Sequence, residues 1–170
     1  HFVIPLHPNP RVREELGEPL ENKPNVLLTE PLDYVSFARL LRRCHLVVTD
    51  SGGIQEEAPS FDKPVVVMRD TTERNEGVNA GTLLLTGTDP ERIVQAVASL
   101  LTDDDAYARM AAADNPYGDG RAARRIVAAM EQLVHNGPEP TPFGAGYDRR
   151  AVVEMAGFSI ISPVAEASLQ

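Results

Sequence analysis

Tryptophan is absent from this chain of 170 residues, cysteine occurs once, and aromatic residues amount to only 5%. A lone thiol, Cys44, cannot close an internal disulfide, so the chain is no disulfide-stapled scaffold and suits a reducing, cytoplasmic setting. Long apolar runs are missing as well. None approaches the roughly 20 residues of a membrane-crossing helix, and residues 2–6 are too short for the apolar region of a signal peptide. Positive charge is the scarcer sign, with 16 Lys plus Arg against 25 Asp plus Glu and a net charge of -9. A surface of that sign repels phosphate backbones and anionic bilayers, which argues against nucleic-acid and membrane partners. An anionic ligand must then be held locally, by aimed backbone N–H groups or a few placed cations. The remainder, 42% hydrophobic residues with 12 Gly and 14 Pro, suffices for one domain with a real core and is neither collagen-like nor disordered. The chain opens on His1 and an apolar run without an initiator Met, which reads as a piece of a longer polypeptide.

Short apolar runs at residues 2–6, 25–29, 45–49, 64–68 and 82–85 read as strands. His7-Pro8-Asn9-Pro10 closes the first, because prolines cannot continue a strand ladder. Residues 12–16 predict a short helix ended by Gly17 and Pro19. Asp33 begins a helical pattern in which Val35, Phe37, Ala38, Leu40 and Leu41 make an apolar stripe. Asp50-Ser51-Gly52-Gly53 turns into a helix over residues 54–58, and residues 69–80 read as a polar loop. Asp89 caps a helix with Pro90 at its first position, running through Leu101. Two more helical stretches cover 103–113 and 120–134. Strands alternating with helices predict the α/β class, a doubly wound parallel sheet whose ligands bind at the carboxyl ends of the strands. Residues 1–135 form this domain. Residues 136–170 are a linker, rich in Gly137, Pro138, Pro140, Pro142, Gly144 and Gly146, with an unassigned tail in which 151–161 regains apolar character.

The strand ending at Thr49 runs through Asp50-Ser51-Gly52-Gly53 straight into a helix. That arrangement leaves unpaired N–H groups and a helix dipole aimed at one spot, and glycine lets a ligand approach the backbone. With the Ser51 hydroxyl as a further donor, a diphosphate fits. Glu57, about one turn into the helix, can accept hydrogen bonds from both hydroxyls of a ribose. A glycine-rich turn with a serine cap explains the same residues, and spacing alone leaves both readings open. Arg69 and Arg74 follow the next strand and can reach phosphate or sugar, with Glu73 orienting either; a solvated loop with internal ion pairs is the competing reading.

His7 stands at the end of the first strand, held by the following Pro8, where it can donate to a sugar or phosphate or serve only in the turn. Phe37 can lie against a nucleobase, although an aromatic on a helix stripe ordinarily packs in the core. Cys44 lacks metal-ligand spacing and reads as a buried small hydrophobe. His45 and His135 have no partner cluster. Asn115-Pro116-Tyr117-Gly118-Asp119-Gly120 reads as a rigid structural turn whose Asp119 caps the last helix.

Taken together, His7-Pro8-Asn9-Pro10, the run from Thr49 to Pro59 through Ser51-Gly52-Gly53, Lys63-Pro64-Val65, the run from Met68 to Arg74, and Asn115-Pro116-Tyr117-Gly118-Asp119-Gly120 resemble the C-terminal half of the non-hydrolysing UDP-N-acetylglucosamine 2-epimerases. The resemblance covers residues 2–134. It implies the C-terminal Rossmann-like domain of a GT-B fold and interconversion of UDP-N-acetylglucosamine (UDP-GlcNAc) with UDP-N-acetylmannosamine (UDP-ManNAc). A proton leaves C2, UDP is expelled to give a 2-acetamidoglucal, and UDP adds back with C2 inverted. Ser51, Gly52 and Gly53 would hold the diphosphate, Glu57 the ribose hydroxyls and Phe37 the uracil. Arg74 would touch phosphate or sugar, with His7 near the sugar.

The same resemblance implies a homodimer and no metal or NAD. It places the acidic catalytic residues in an N-terminal half, and a His-Arg-Arg-Glu-type motif and the first strand of this domain just upstream of His1. No catalytic residue is therefore assigned within the chain. Without that central strand two sheet edges are exposed, so the chain alone is expected to fold poorly or self-associate. The visible half fits equally a hydrolysing relative that releases N-acetylmannosamine and UDP, or a non-catalytic nucleotide-sugar-binding module. A GT-B glycosyltransferase fits the fold, but the loop from Arg69 to Arg74 fits the epimerases better.

Overall fold

A computed structural model describes residues 1–144; the apolar stretch 151–161 and Gly146 lie outside the described residues. The chain divides into two compact units, residues 1–43 and the part from Cys44 on.

In the first unit β1 (Phe2–Pro5) pairs in parallel with β2 (Val26–Thr29), from Phe2 opposite Val26 to Pro5 opposite Thr29. Helix α1 (Pro10–Leu20) starts where the Asn9 side chain accepts from the Arg11 amide at 3.0 Å and Pro10 takes the first position. It is longer than the sequence predicts, since neither Gly17 nor Pro19 ends it. Pro19 sits in the last turn, where its missing N–H forfeits a single bond rather than breaking a helix interior. Helix α2 (Tyr34–Arg43) follows Asp33, whose carboxylate accepts from the Ser36 amide at 3.1 Å and the Ser36 hydroxyl at 2.5 Å. Those bonds, the hydroxyl's above all, hold the Asp33 carboxyl below its ordinary range. Ala38 and Leu41 are buried, but Val35 is 51% exposed, so the apolar stripe is narrower than the periodicity predicts.

In the second unit β3 (Val47–Thr49), β4 (Val65–Val67) and β5 (Leu83–Leu85) form a parallel sheet in that order. The central strand carries the core, with Val65, Val66 and Val67 at 0% exposure, joined by Ala58, Leu83 and Leu100. Strand β3 passes into α3 (Gly52–Glu57), followed by a single 3-10 turn over Ala58–Phe61. Residues 69–80 are not all loop, because α4 (Asn75–Ala80) forms at their end. Helix α5 (Pro90–Thr102) begins as predicted, its Asp89 cap accepting from the Glu91 amide at 2.8 Å. Helices α6 (Asp104–Ala112) and α7 (Ala122–His135) follow. Among the described residues no helix is long and apolar enough to cross a membrane.

Long-range polar contacts fasten the later helices. Tyr107 on α6 donates its hydroxyl to the His45 carbonyl at 2.9 Å and stacks on that imidazole with ring centroids 4.1 Å apart, so His45 has a partner that local sequence did not reveal. Asp119 is buried and binds Arg125 through two parallel bonds at 2.6 and 2.5 Å, while also accepting from the Arg121 amide at 3.0 Å. Cys44 is half-buried rather than enclosed, and burial pushes its thiol up.

Candidate functional site

The carboxyl end of β3 supplies the first half of the site. Thr49 turns its hydroxyl back to accept from the Ser51 amide at 3.0 Å, which fixes the bend between strand and helix. Ser51 takes the cap position of α3 in an extended conformation, yet its side chain makes no capping hydrogen bond. The capping explanation of this serine therefore loses its main support, since the exposed hydroxyl makes no bond to the helix amides. By helix geometry the first amides of α3, those of Gly52, Gly53 and Ile54, lack intrahelical acceptors. Helix α3 has only 6 residues, so these local N–H groups matter more than a long macrodipole, whose influence fades within a turn.

The second half arrives from the segment after β4. The Arg74 guanidinium lies directly on Gly52: a Cβ at that position would stand 2.6 Å from the guanidinium carbon. Only glycine permits this approach. Arg74 donates from Nε to Glu56 at 2.9 Å and from Nη1 to Glu73, while Arg69 reaches the other Glu73 oxygen at 3.2 Å. Hydrogen bonding within the segment and the two arginines beside it hold the Glu73 carboxyl below its ordinary range. Internal ion pairing and proximity to the glycine turn thus coexist.

Glu57 closes α3 and is half-buried. Burial first, and the neighbouring Glu56 charge second, push its carboxyl up from the ordinary value. Hydroxyl donors on a ligand would favour the ionised form and offset that desolvation.

The structure brings Ser51, Gly52, Gly53, Glu57 and Arg74 into one unit, with Arg74 touching the turn. His7 and Phe37 belong to the other unit. The exposed His7 ring accepts the Asn9 amide at Nδ1 (3.2 Å), so in the neutral ring the proton resides on Nε2, available to a ligand. Phe37 is half-buried, neither fully packed nor free. An open depression of about 870 Å³ at the ends of β4 and β5, lined among others by Asp70, Gly87, Asp89 and Arg92, contains none of these residues.

Sequence reasoning missed three residues that build the site. Gln55 is completely buried; its Nε2 donates to the Ser51 carbonyl at 3.2 Å and its Oε1 accepts the Thr72 hydroxyl at 2.8 Å. Tyr117 bonds the Arg74 carbonyl at 3.0 Å. A glutamine four places beyond a serine reads as solvent-facing polarity, and a tyrosine 43 residues from its partner leaves no local trace.

Residues 1–131 match the family described as UDP-N-acetylglucosamine 2-epimerase. The chain is similar to the UDP-N-acetylglucosamine 2-epimerase of Escherichia coli strain K12, at 54% identity over 130 residues, covering 76% of this chain and 35% of the relative. Among solved structures it is similar to a putative UDP-N-acetylglucosamine 2-epimerase from Listeria monocytogenes, with a TM-score of 0.79 and 48% identity, covering 83% of this chain and 38% of that one. It is similar also to the Neisseria meningitidis UDP-GlcNAc 2-epimerase bound to UDP-GlcNAc, with a TM-score of 0.74 and 46% identity, covering 77% and 35%. The chain thus spans about a third of the length of the relatives it matches. Parallel strands alternating with helices, and likeness to these proteins, place it in the Rossmann-like α/β class of the GT-B fold. With the family match reaching across both units, the chain belongs to the UDP-N-acetylglucosamine 2-epimerase family.

Proposed function

We propose that residues 1–135 are the UDP-binding C-terminal domain of a non-hydrolysing epimerase that interconverts UDP-GlcNAc and UDP-ManNAc. One observation carries the reading: the Arg74 guanidinium rests on Gly52, beside a serine hydroxyl not spent on capping. In this reading Ser51 and the Gly52 and Gly53 amides hold the diphosphate, Glu57 the ribose hydroxyls and Phe37 the uracil. Arg74 binds phosphate or sugar, and His7 lies near the sugar.

The chemistry follows from charge. Removing the C2 proton and breaking the C1–O bond leaves the departing diphosphate with added negative charge, which aimed amides and a guanidinium stabilise. Arg74 is already paired with Glu56 and Glu73. An exposed pair such as that with Glu73 is worth little in water, so a dianionic diphosphate can displace it without large cost. Return of a proton to the opposite face of C2, as UDP re-forms the bond to C1 of the glucal, inverts C2. In this reading the acid and base at C2 belong to the N-terminal half that the family resemblance implies. A homodimer in the cytoplasm is the expected assembly.

NMR of the full-length protein incubated with UDP-GlcNAc tests this. Signals of UDP-ManNAc are expected, and the 170-residue chain alone is expected to give none. Release of free N-acetylmannosamine and UDP would replace the reading with the hydrolysing one. Binding of UDP with no turnover would replace it with a non-catalytic module.

A further inference from the structure

Arg74 is gripped by its backbone from two sides. On one side its amide donates to the Thr72 hydroxyl at 3.1 Å, and that hydroxyl donates to the buried Gln55 at 2.8 Å. Gln55 continues the chain to the Ser51 carbonyl at 3.2 Å, so the loop bearing Arg74 is tied to the residue that opens α3. On the other side the Tyr117 hydroxyl donates to the Arg74 carbonyl at 3.0 Å and accepts from the Gly77 amide, also at 3.0 Å. Gly77 is needed there, because a Cβ would collide with the phenol oxygen and Leu83. Each hydroxyl has one proton, and each donates once, so the proton directions are mutually consistent from Ser51 to Gly77. Burial keeps the Tyr117 phenol protonated and thus a donor. Tyr117 is itself seated by Asn115, which accepts the Tyr117 amide at 3.1 Å and donates to Ser60 at 2.8 Å. The turn that sequence alone presents as merely structural therefore ends on the arginine of the site.

We propose that Gln55 with Thr72, and Tyr117 from the opposite side, form a backbone clamp that positions the Arg74 guanidinium over the Ser51-Gly52-Gly53 turn for a nucleoside diphosphate. This rests on the reading of that turn as the diphosphate site. Gln55, Thr72 and Tyr117 are positioning residues, acting through Arg74 rather than on the ligand.

The test is a double-mutant cycle on UDP affinity in the full-length protein, by calorimetry on Tyr117→Phe, Arg74→Ala and the pair combined. Losing one hydrogen bond of this kind is expected to weaken UDP about three- to tenfold in Tyr117→Phe. In the Arg74→Ala background the same exchange is expected to cost UDP affinity nothing further: the Arg74 carbonyl remains, but the guanidinium it positions is gone. Equal losses in both backgrounds would make the phenol a general structural tie and overturn the clamp. If Arg74→Ala weakens UDP and Tyr117→Phe does not, the clamp falls while the site stands. If Arg74→Ala leaves UDP affinity unchanged, the clamp and the role of Arg74 at the site fall together. A second pair covers a folding failure of Tyr117→Phe: Thr72→Ser, which keeps the hydroxyl, is expected to bind as wild type, and Thr72→Val to lose a similar factor. Equal affinity of those two would overturn the clamp.

Discussion

The two sheets are built from equally apolar strands and end in opposite conditions. In β4 all three valines are fully buried, whereas in the pair β1 and β2 Phe2 is 48%, Val3 41% and Leu27 59% exposed. The difference is neighbours. Strand β4 has β3 on one side and β5 on the other, while among the described residues β1 and β2 have only each other. Apolar sequence sets which segments extend, but burial depends on what lies alongside, and a two-stranded sheet is marginal in water. The same contrast recurs between two bidentate ion pairs. Arg13 with Glu30 leaves the carboxylate side chain 76% exposed, whereas Arg125 with Asp119 leaves it 8%.

Four experiments press on this contrast, from the largest expected effect to the smallest. Val66→Asp places an unpaired charge in the centre of β4 and is expected to unfold the second unit, since the cost rivals a domain's net stability of about 5–15 kcal/mol. Leu27→Asp in this chain is expected to cost under about 1 kcal/mol in chemical denaturation. In the full-length protein the Leu27 cost should rise if a further segment covers β2, and an equal cost in both would break that part of the comparison.

Next come the ion pairs. Asp119→Asn is expected to lower the melting temperature clearly at neutral pH, and Glu30→Gln barely. Bonding to Arg125, foremost among the causes, holds the folded Asp119 carboxyl well below its ordinary range. Its stabilisation is therefore complete above the unfolded value of about 3.9 and lost as pH falls through the depressed folded value. Wild type and Asp119→Asn should converge in strong acid, and a gap that persists there would contradict the assignment.

Gly52→Ala adds a methyl where the guanidinium carbon of Arg74 stands 2.6 Å away. Because a flexible side chain can yield, the fold is expected to survive while UDP affinity in the full-length protein drops about tenfold. Unchanged affinity would separate Arg74 from the ligand. Tyr107→Phe keeps the stack on His45 and loses one hydrogen bond, and is expected to cost about 1 kcal/mol in a denaturation curve.

What was legible in the sequence was local. Asp89 with Pro90 announces α5, and Ser51-Gly52-Gly53 after a β-branched run announces a strand turning into a helix with open amides. What escaped depends on distant partners. Helix α4 escaped because its six residues include glycine, and a hydrogen bond from the Gly77 amide to Tyr117, 40 positions away, secures its start. Pro19 stays within α1 because in the last turn its missing N–H forfeits a single bond, which the local Gly17 and Pro19 stop signals do not reveal. Gln55 escaped because burial of an amide is repaid only by the Ser51 carbonyl and the Thr72 hydroxyl, neither of which its neighbours in sequence predict. The glycine turn could thus be found from sequence, but the clamp on Arg74 could not.

The central claim is that a diphosphate sits where the Ser51 hydroxyl and the bare amides of α3 converge, with Glu57 on the ribose. Calorimetric titration of UDP into the full-length protein, beside its Ser51→Ala plus Glu57→Ala variant, tests it most directly. The account predicts binding by the wild type and a loss of about a hundredfold in the variant, from two hydrogen-bonding groups removed. Equal affinity in the two proteins, or no heat from either while both remain folded, would contradict it.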